Sequence, residues 1–305
     1  MRKPSLTRRT MLACMFALAA SALAPAFAAE FSSERIIVST EGEGSDVILI
    51  PGLACSTRVW HEMVRALPGH RYHLVQVAGF AGFARGQNAD GPLAVPVADE
   101  IARYIAARGL DKPAVLGHSL GGTIGMLLAV RHPEALSRLM VIDMPPFLGA
   151  LFGPPGTTPE SITPMANSLL TMMRTADPLG RRLRTTANLD RMIDTVPMRA
   201  LALDDAMKSD QDVVARAFHE LIVTDLRPEL GKIAVPTTVL YVDSRASGMT
   251  ERKVEAGYKE AYSSLPEVTL RRIPASAHFI MWDQPIVFQS AVRDFLVPTK
   301  PKAIP

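Results

Sequence analysis

The stretch Leu116-Gly117-His118-Ser119-Leu120-Gly121-Gly122 constrains this chain more than any other. It stands between a short apolar run behind a proline, Ala114-Val115-Leu116, and a longer apolar run from Thr123 to Val130. The first reads as a buried strand and the second as a buried helix. A strand passes straight into a helix at a serine only through a sharp, strained turn, and small neighbours let that turn close. GxSxG is the sequence form of a nucleophile elbow, which projects the Ser119 Oγ into a cleft. Gly and Ser are common, so the spacing alone is weak; the strand before it and the helix after it give it weight.

The same alternation of strand and helix patterns runs through the chain. Arg35 to Thr40, Asp46 to Ile50 and Tyr72 to Val77 read as strands, the first two separated by a turn at Gly42 and Gly44. Pro96 to Arg108 has helical spacing, with Ile101, Tyr104 and Ile105 on one face and Gly109 as its stop. Leu136 to Ile142, Thr237 to Val242 and Val268 to Ile273 read as further strands, Val254 to Leu265 and Gln284 to Leu296 as helices. This order predicts an α/β fold with a mostly parallel, doubly wound sheet covered on both faces. Between Ile142 and Pro236 lie about ninety residues of different character, too long for an ordinary connection. Helical spacings in Met165 to Arg174, Leu189 to Met192 and Gln211 to Thr224 predict a helical cap, whose entry Gly153-Pro154-Pro155-Gly156 and Pro159 break. Its methionines, Met144, Met165, Met172, Met173, Met192, Met198 and Met207, suit either an irregular core or an adaptable apolar pocket. The expected divisions are a leader over 1–28, the core over 29–143 and 235–297, the cap over 144–234, and a loose tail 298–305 with its prolines.

Residues 1–28 read as a signal peptide. Arg2, Lys3, Arg8 and Arg9 form a basic head, Met11 to Leu23 is an apolar run too short to span a bilayer, and Ala26-Phe27-Ala28 is a small-x-small cleavage site. Thr7-Arg8-Arg9-Thr10-Met11-Leu12 has the form of a twin-arginine signal, with the general secretory route as the rival. The expected location is the periplasm or the exterior, with no stable membrane anchor. That segment carries four of the 33 basic residues and none of the 30 acidic ones, leaving 29 against 30, so the mature chain is near neutral. Nothing in that balance suggests a nucleic-acid partner. Cys14 leaves with the signal and Cys55 has no cysteine partner in the mature chain, so Cys55 reads as a small buried filler or a reactive thiol.

With these residues in order, the chain resembles the α/β-hydrolase superfamily over nearly everything past its first ~35 residues. The resemblance rests on Val47-Ile48-Leu49-Ile50-Pro51-Gly52-Leu53, then the elbow, then Ala277-His278-Phe279 with Asp283-Gln284-Pro285. It implies Ser119 as nucleophile and His278 as its base. Ser119 needs such a base because a hydroxyl is a poor nucleophile, and the base needs a carboxylate to hold its tautomer. The commonest family pattern puts that acid at or next to Arg245, where arginine cannot serve. Asp243 lies two residues early. Asp143, at the end of the strand Leu139 to Ile142, matches the members that carry the acid there, haloalkane dehalogenases among them; both aspartates remain candidates.

The same resemblance implies an oxyanion hole from the backbone N–H of Leu120, just after the nucleophile, and of Leu53, after Gly52. Pro51 stands where the family usually has His. The expected function is an exported serine hydrolase acting through an acyl-enzyme on an ester or related bond of a small, apolar acyl substrate. No metal or other cofactor is expected. Serine at the elbow argues against epoxide hydrolase and dehalogenase chemistry, which needs a carboxylate there. Aminopeptidase, lactonase, carbon–carbon hydrolase and peracid-forming activities share the same machinery, and a non-catalytic binding protein is the rival of a different class. Asp204, Asp205 and Glu220 keep the aminopeptidase reading open, although solvated helix faces also account for them.

Overall fold

The computed structural model describes residues 31–243 and 250–297. The signal-like segment 1–28, the tail 298–305 and the position beside Arg245 lie outside the described residues. The strands are β1 (Ile36–Glu41), β2 (Ser45–Ile50), β3 (His70–Val77), β4 (Ala114–His118), β5 (Arg138–Ile142), β6 (Thr237–Val242) and β7 (Val268–Ile273). They form one seven-stranded sheet in the order β1-β3-β2-β4-β5-β6-β7. β1 runs antiparallel to β3 and every other pair is parallel.

Strand residues alternate between two cores because successive side chains point to opposite faces. Ile48, Ile50, Val115, Leu139 and Val141 join one apolar cluster; Val47, Leu49, Leu116, Met140 and Ile142 join the other. The first face is covered by α2 (Ala94–Ala107) and α3 (Leu120–Arg131), the second by α1 (His61–Ala66) and the C-terminal α10 (Pro285–Leu296). α3 is apolar around its whole circumference, and Leu120 through Ala129 are all buried, as a helix enclosed by its neighbours must be. Each large aliphatic side chain buried this way contributes about 1.5–3 kcal/mol.

Four helices lie between β5 and β6: α4 (Pro159–Arg174), α5 (Pro178–Met192), α6 (Val196–Lys208) and α7 (Gln211–Val223). Pro159, expected to interrupt this region, instead starts α4. It sits in the first turn, where its missing N–H has no helical acceptor to lose, behind a capping box of Thr158 and Ser161. α6 has no counterpart in the sequence reading, because its apolar residues are spread around the helix rather than set in a stripe. α5 is longer than the segment Leu189 to Met192: its arginine-rich first turns are mostly exposed, and their Leu179 and Leu183 face solvent, not a core. The methionines divide between sites: Met144 is in the core, Met192 and Met198 pack against the cluster around Phe279 and Trp282, and Met172 is exposed. After β6 come α8 (Glu251–Ala261) and, beyond β7, the short α9 (Ile280–Asp283).

Candidate active site

β4 ends at His118, and Ser119 follows with φ 55° and ψ −121°, a conformation that side chains rarely adopt. The turn is held on both sides. The Ser119 N–H donates to the Ile142 carbonyl at 3.0 Å, and the Ser119 carbonyl accepts from the N–H groups of Gly122 at 2.7 Å and Thr123 at 3.2 Å. It also requires its glycines: a Cβ on Gly117 would fall 2.0 Å from the Gly121 carbonyl oxygen, and one on Gly121 would fall 2.1 Å from that of Ile50. Leu120 opens α3, so its N–H points out of the helix end with no intrahelical acceptor.

Asp143 comes directly after β5 with a positive φ of 48°, its N–H donating to the Leu240 carbonyl at 2.7 Å. Its Oδ2 lies 2.6 Å from Nδ1 of His278. Its Oδ1 accepts from the Val242 N–H at 3.2 Å and from the Tyr258 hydroxyl at 3.3 Å. Burial first, and then the Asp143 charge, push the Tyr258 hydroxyl well above the ordinary phenol range, so it stays protonated and can only donate to that carboxylate. Tyr258 is absent from the sequence reading. Its one signal there is its place on α8 four residues after Val254 and four before Tyr262, the face that packs on the sheet.

The rival carboxylate goes elsewhere. Asp243 makes an ion pair with Arg272 of β7 at 2.5 Å. The strand order explains this divergence: β5 is next to the elbow strand β4, whereas the end of β6 borders β7 and its arginine. His278 sits over the elbow, its ring 4.6 Å from that of His118, and its carbonyl accepts from His118 Nε2 at 3.1 Å. Since a carbonyl only accepts, Nε2 carries the His118 proton. Burial, and then the neighbouring His278, hold the His118 pKa well below the usual histidine range. The loop before His278 is tied through Asp283, whose carboxylate accepts from the N–H groups of Ala277 at 3.0 Å, Asp194 at 3.1 Å and Thr195 at 2.8 Å.

The loop after β2 closes over the elbow from the other side. A Cβ on Gly52 would lie 3.1 Å from the Ser119 Cβ, so the loop that carries Leu53 leaves β2 directly beside the elbow. The Cys55 N–H donates to the Gly52 carbonyl at 3.2 Å, and Ala54 takes a φ of 59°. Cys55 is buried, and that burial pushes its thiol up, which removes the thiolate that a reactive cysteine needs. The acids of the helical insertion are not a solvated set. Asp205 is buried against Ser56 and Arg58, and Glu220 accepts from the N–H groups of Leu93 at 2.7 Å and Ala94 at 3.1 Å at the start of α2. Asp204 pairs with Arg58 and Lys208.

A serine at a strand-to-helix turn, a histidine after the last strand and a mostly parallel sheet in this order are joined by a direct sequence match. The family described as alpha/beta hydrolase fold matches residues 47–285. The chain belongs to that family. Two relatives named pimeloyl-[acyl-carrier protein] methyl ester esterase are 26% identical (Pectobacterium carotovorum, 84% of this chain and 96% of the relative) and 27% identical (Aliivibrio fischeri, 84% and 95%). Among solved structures, a hydrolase from Pseudomonas aeruginosa superposes with a TM-score of 0.71 at 19% identity, covering 86% of this chain and 94% of that one. The enol-lactonase from Burkholderia xenovorans does so with a TM-score of 0.69 at 19% identity, covering 86% and 96%. This α/β-hydrolase is thus an esterase-like enzyme in its family relationships, on a fold shared with lactonases.

Proposed function

We propose that this α/β-hydrolase is an exported serine esterase that works through an acyl-enzyme, with Ser119, His278 and Asp143 as its triad. The observation that carries the proposal is the 2.6 Å approach of Asp143 Oδ2 to His278 Nδ1, beside a serine held at an elbow. In this mechanism His278 Nε2 takes the proton of Ser119 Oγ as the oxygen attacks the acyl carbonyl. Asp143 keeps Nδ1 protonated and stabilises the imidazolium that forms. The N–H groups of Leu53 and Leu120 donate to the developing oxyanion, each contribution being about 3–4 kcal/mol in enzymes of this kind. His278 then returns the proton to the leaving alcohol, and water attacks the acyl-enzyme by the same route in reverse.

The relatives' name, a methyl ester esterase, supports a small alkyl ester of an apolar acyl chain as the substrate class. A peptide N-terminus is less well served, because Asp205 and Glu220 already accept hydrogen bonds from the core. Export is supported by the basic head, apolar run and Ala26-Phe27-Ala28 site of the sequence.

The test is labelling of the mature protein with a fluorophosphonate, read by intact mass, with turnover of a p-nitrophenyl ester series alongside. One adduct per chain is expected, and none in Ser119→Ala or His278→Ala. A folded protein that takes no adduct and turns over no ester returns the weight to a binding role on this fold. Export is checked by fractionating a bacterial host, with Arg8→Lys plus Arg9→Lys expected to hold the precursor in the cytoplasm.

A further inference from the structure

The insertion between β5 and β6 sends one buried carboxylate into the loop that closes over the elbow. Asp205, on the third turn of α6, is 3% exposed. Its Oδ2 accepts from the Ser56 N–H at 2.9 Å and from the Ser56 hydroxyl at 2.6 Å, while its Oδ1 accepts from the Arg58 guanidinium. Arg58 Nε donates in turn to the Ser56 hydroxyl at 3.2 Å. The junction between α6 and α7 grips a second core loop. Ser209 Oγ accepts from the Ala81 N–H at 2.8 Å, and the Asp210 N–H donates to the Gly79 carbonyl at 2.8 Å.

The segment that Asp205 holds is short and strained. It leaves β2 at Ile50, turns at Gly52 to Cys55 with Ala54 in the left-handed region, and meets the carboxylate at Ser56. The direction of the Leu53 N–H depends on peptide planes pinned at one end by the sheet and at the other by Ser56. A residue in a positive-φ conformation persists only where its surroundings over-determine it, and a buried charge-assisted hydrogen-bond pair does that.

We propose that Asp205 is a positioning residue for the oxyanion-stabilising amide of Leu53, so that the helical insertion completes the catalytic site through backbone geometry. This rests on the esterase reading above. Loss of the carboxylate releases Ser56, lets the 52–56 turn relax toward ordinary φ values, and turns the Leu53 N–H from the oxyanion position. Substrate contacts are left in place, so the cost falls on kcat and not on KM.

The experiment uses the full chain and its Asp205→Ala, Asp205→Asn and Ser56→Ala variants, with Asp204→Asn as the control that removes Arg58's exposed partner. Active sites are counted by fluorophosphonate end point. We expect kcat on a p-nitrophenyl ester to fall about 10–100-fold in Asp205→Ala with KM within about threefold. Binding of a trifluoromethyl ketone, whose tetrahedral adduct uses the oxyanion hole, should weaken by a similar factor. The matching alcohol, which does not use it, should bind unchanged. Asp205→Asn, which keeps an acceptor oxygen, should recover part of the loss, and Ser56→Ala should lose several-fold.

A folded Asp205→Ala that keeps kcat and ketone affinity within twofold overturns the proposal, and so does a rise in KM alone, which would mark a simple anchor for the insertion. Should Asp205→Ala fail to fold, Asp205→Asn and Ser56→Ala decide by the same readouts. Should the wild-type protein turn over no ester, the esterase reading fails by itself. Amide hydrogen exchange over 52–58 then decides for Asp205: faster exchange in the variants supports its hold on the loop, and unchanged exchange ends it.

Discussion

The carboxylate of Asp143 meets His278 Nδ1 at 2.6 Å while sharing its second oxygen between the Val242 N–H and the Tyr258 hydroxyl. A carboxylate fixed by two donors on one oxygen presents the other in a single direction, which orients the imidazole.

Asp143→Asn should therefore lower kcat about 10³–10⁴-fold with the fold intact, because the amide favours the wrong imidazole tautomer. Asp243→Asn removes a partly exposed ion pair with Arg272 and should leave kcat/KM within about threefold. Steady-state kinetics of the two purified variants decides this, and equal losses in both would refute the assignment.

Ser119→Gly should abolish turnover and make the protein more stable. Relief of a φ of 55° with ψ −121° is worth about 1–3 kcal/mol, against about 0.5–1 kcal/mol of extra backbone entropy in the unfolded glycine chain. The net of about 1 kcal/mol corresponds to a Tm higher by ~2–4 °C in a domain of this size, measured by calorimetry. An unchanged or lower Tm would show that the elbow stores no strain.

His118 makes the fold sensitive to acid. Its folded pKa lies well below 6.5 while the unfolded chain binds a proton near that value, so the unfolded state holds more protons in the window beneath it. This group's stabilising contribution is whole above about pH 6.5 and is lost as pH falls through the window, at up to about 1.4 kcal/mol per pH unit. Urea unfolding of the wild-type protein and His118→Gln at pH 7.5, 6 and 5 should show a smaller acid loss in the variant, since glutamine can still donate to the His278 carbonyl. Parallel losses at all three values would remove His118 as the cause.

Two glycines should respond in opposite ways to alanine. Gly117→Ala drives a methyl to 2.0 Å from a backbone oxygen at the elbow and should give no soluble folded protein. Gly257 lies inside α8 with nothing within 4 Å of the added carbon, so Gly257→Ala should raise stability by about 0.5–1 kcal/mol. Expression yield and thermal melts check the pair.

Most of the sheet was legible because its strands are short apolar runs buried on two faces, and the elbow because its glycines have no substitute at those distances. Ser119 could be named because it stands directly after a buried strand, a local property of sequence, and His278, past the loop that follows β7, because it matches the order of motifs the family resemblance implies. α6 was not legible, since a helix whose apolar residues are scattered gives no period to read.

The partner of His278 was open between Asp143 and Asp243, and no local pattern could choose. Both follow buried strands, and the choice depends on strand order, which puts β5 beside the elbow strand and β6 beside Arg272. Tyr258 and Asp205 come from segments far from the elbow in sequence, and their hydrogen bonds with Asp143 and Ser56 exist only once the chain has packed. What the amino-acid sequence determined by itself was therefore the strands, most of the helices that cover them and the serine at the elbow, because period and turn chemistry act over a few neighbours. The acid that orients the histidine and the carboxylate that holds the Leu53 loop were decided by tertiary structure, because a hydrogen bond depends on distance in space and not along the chain.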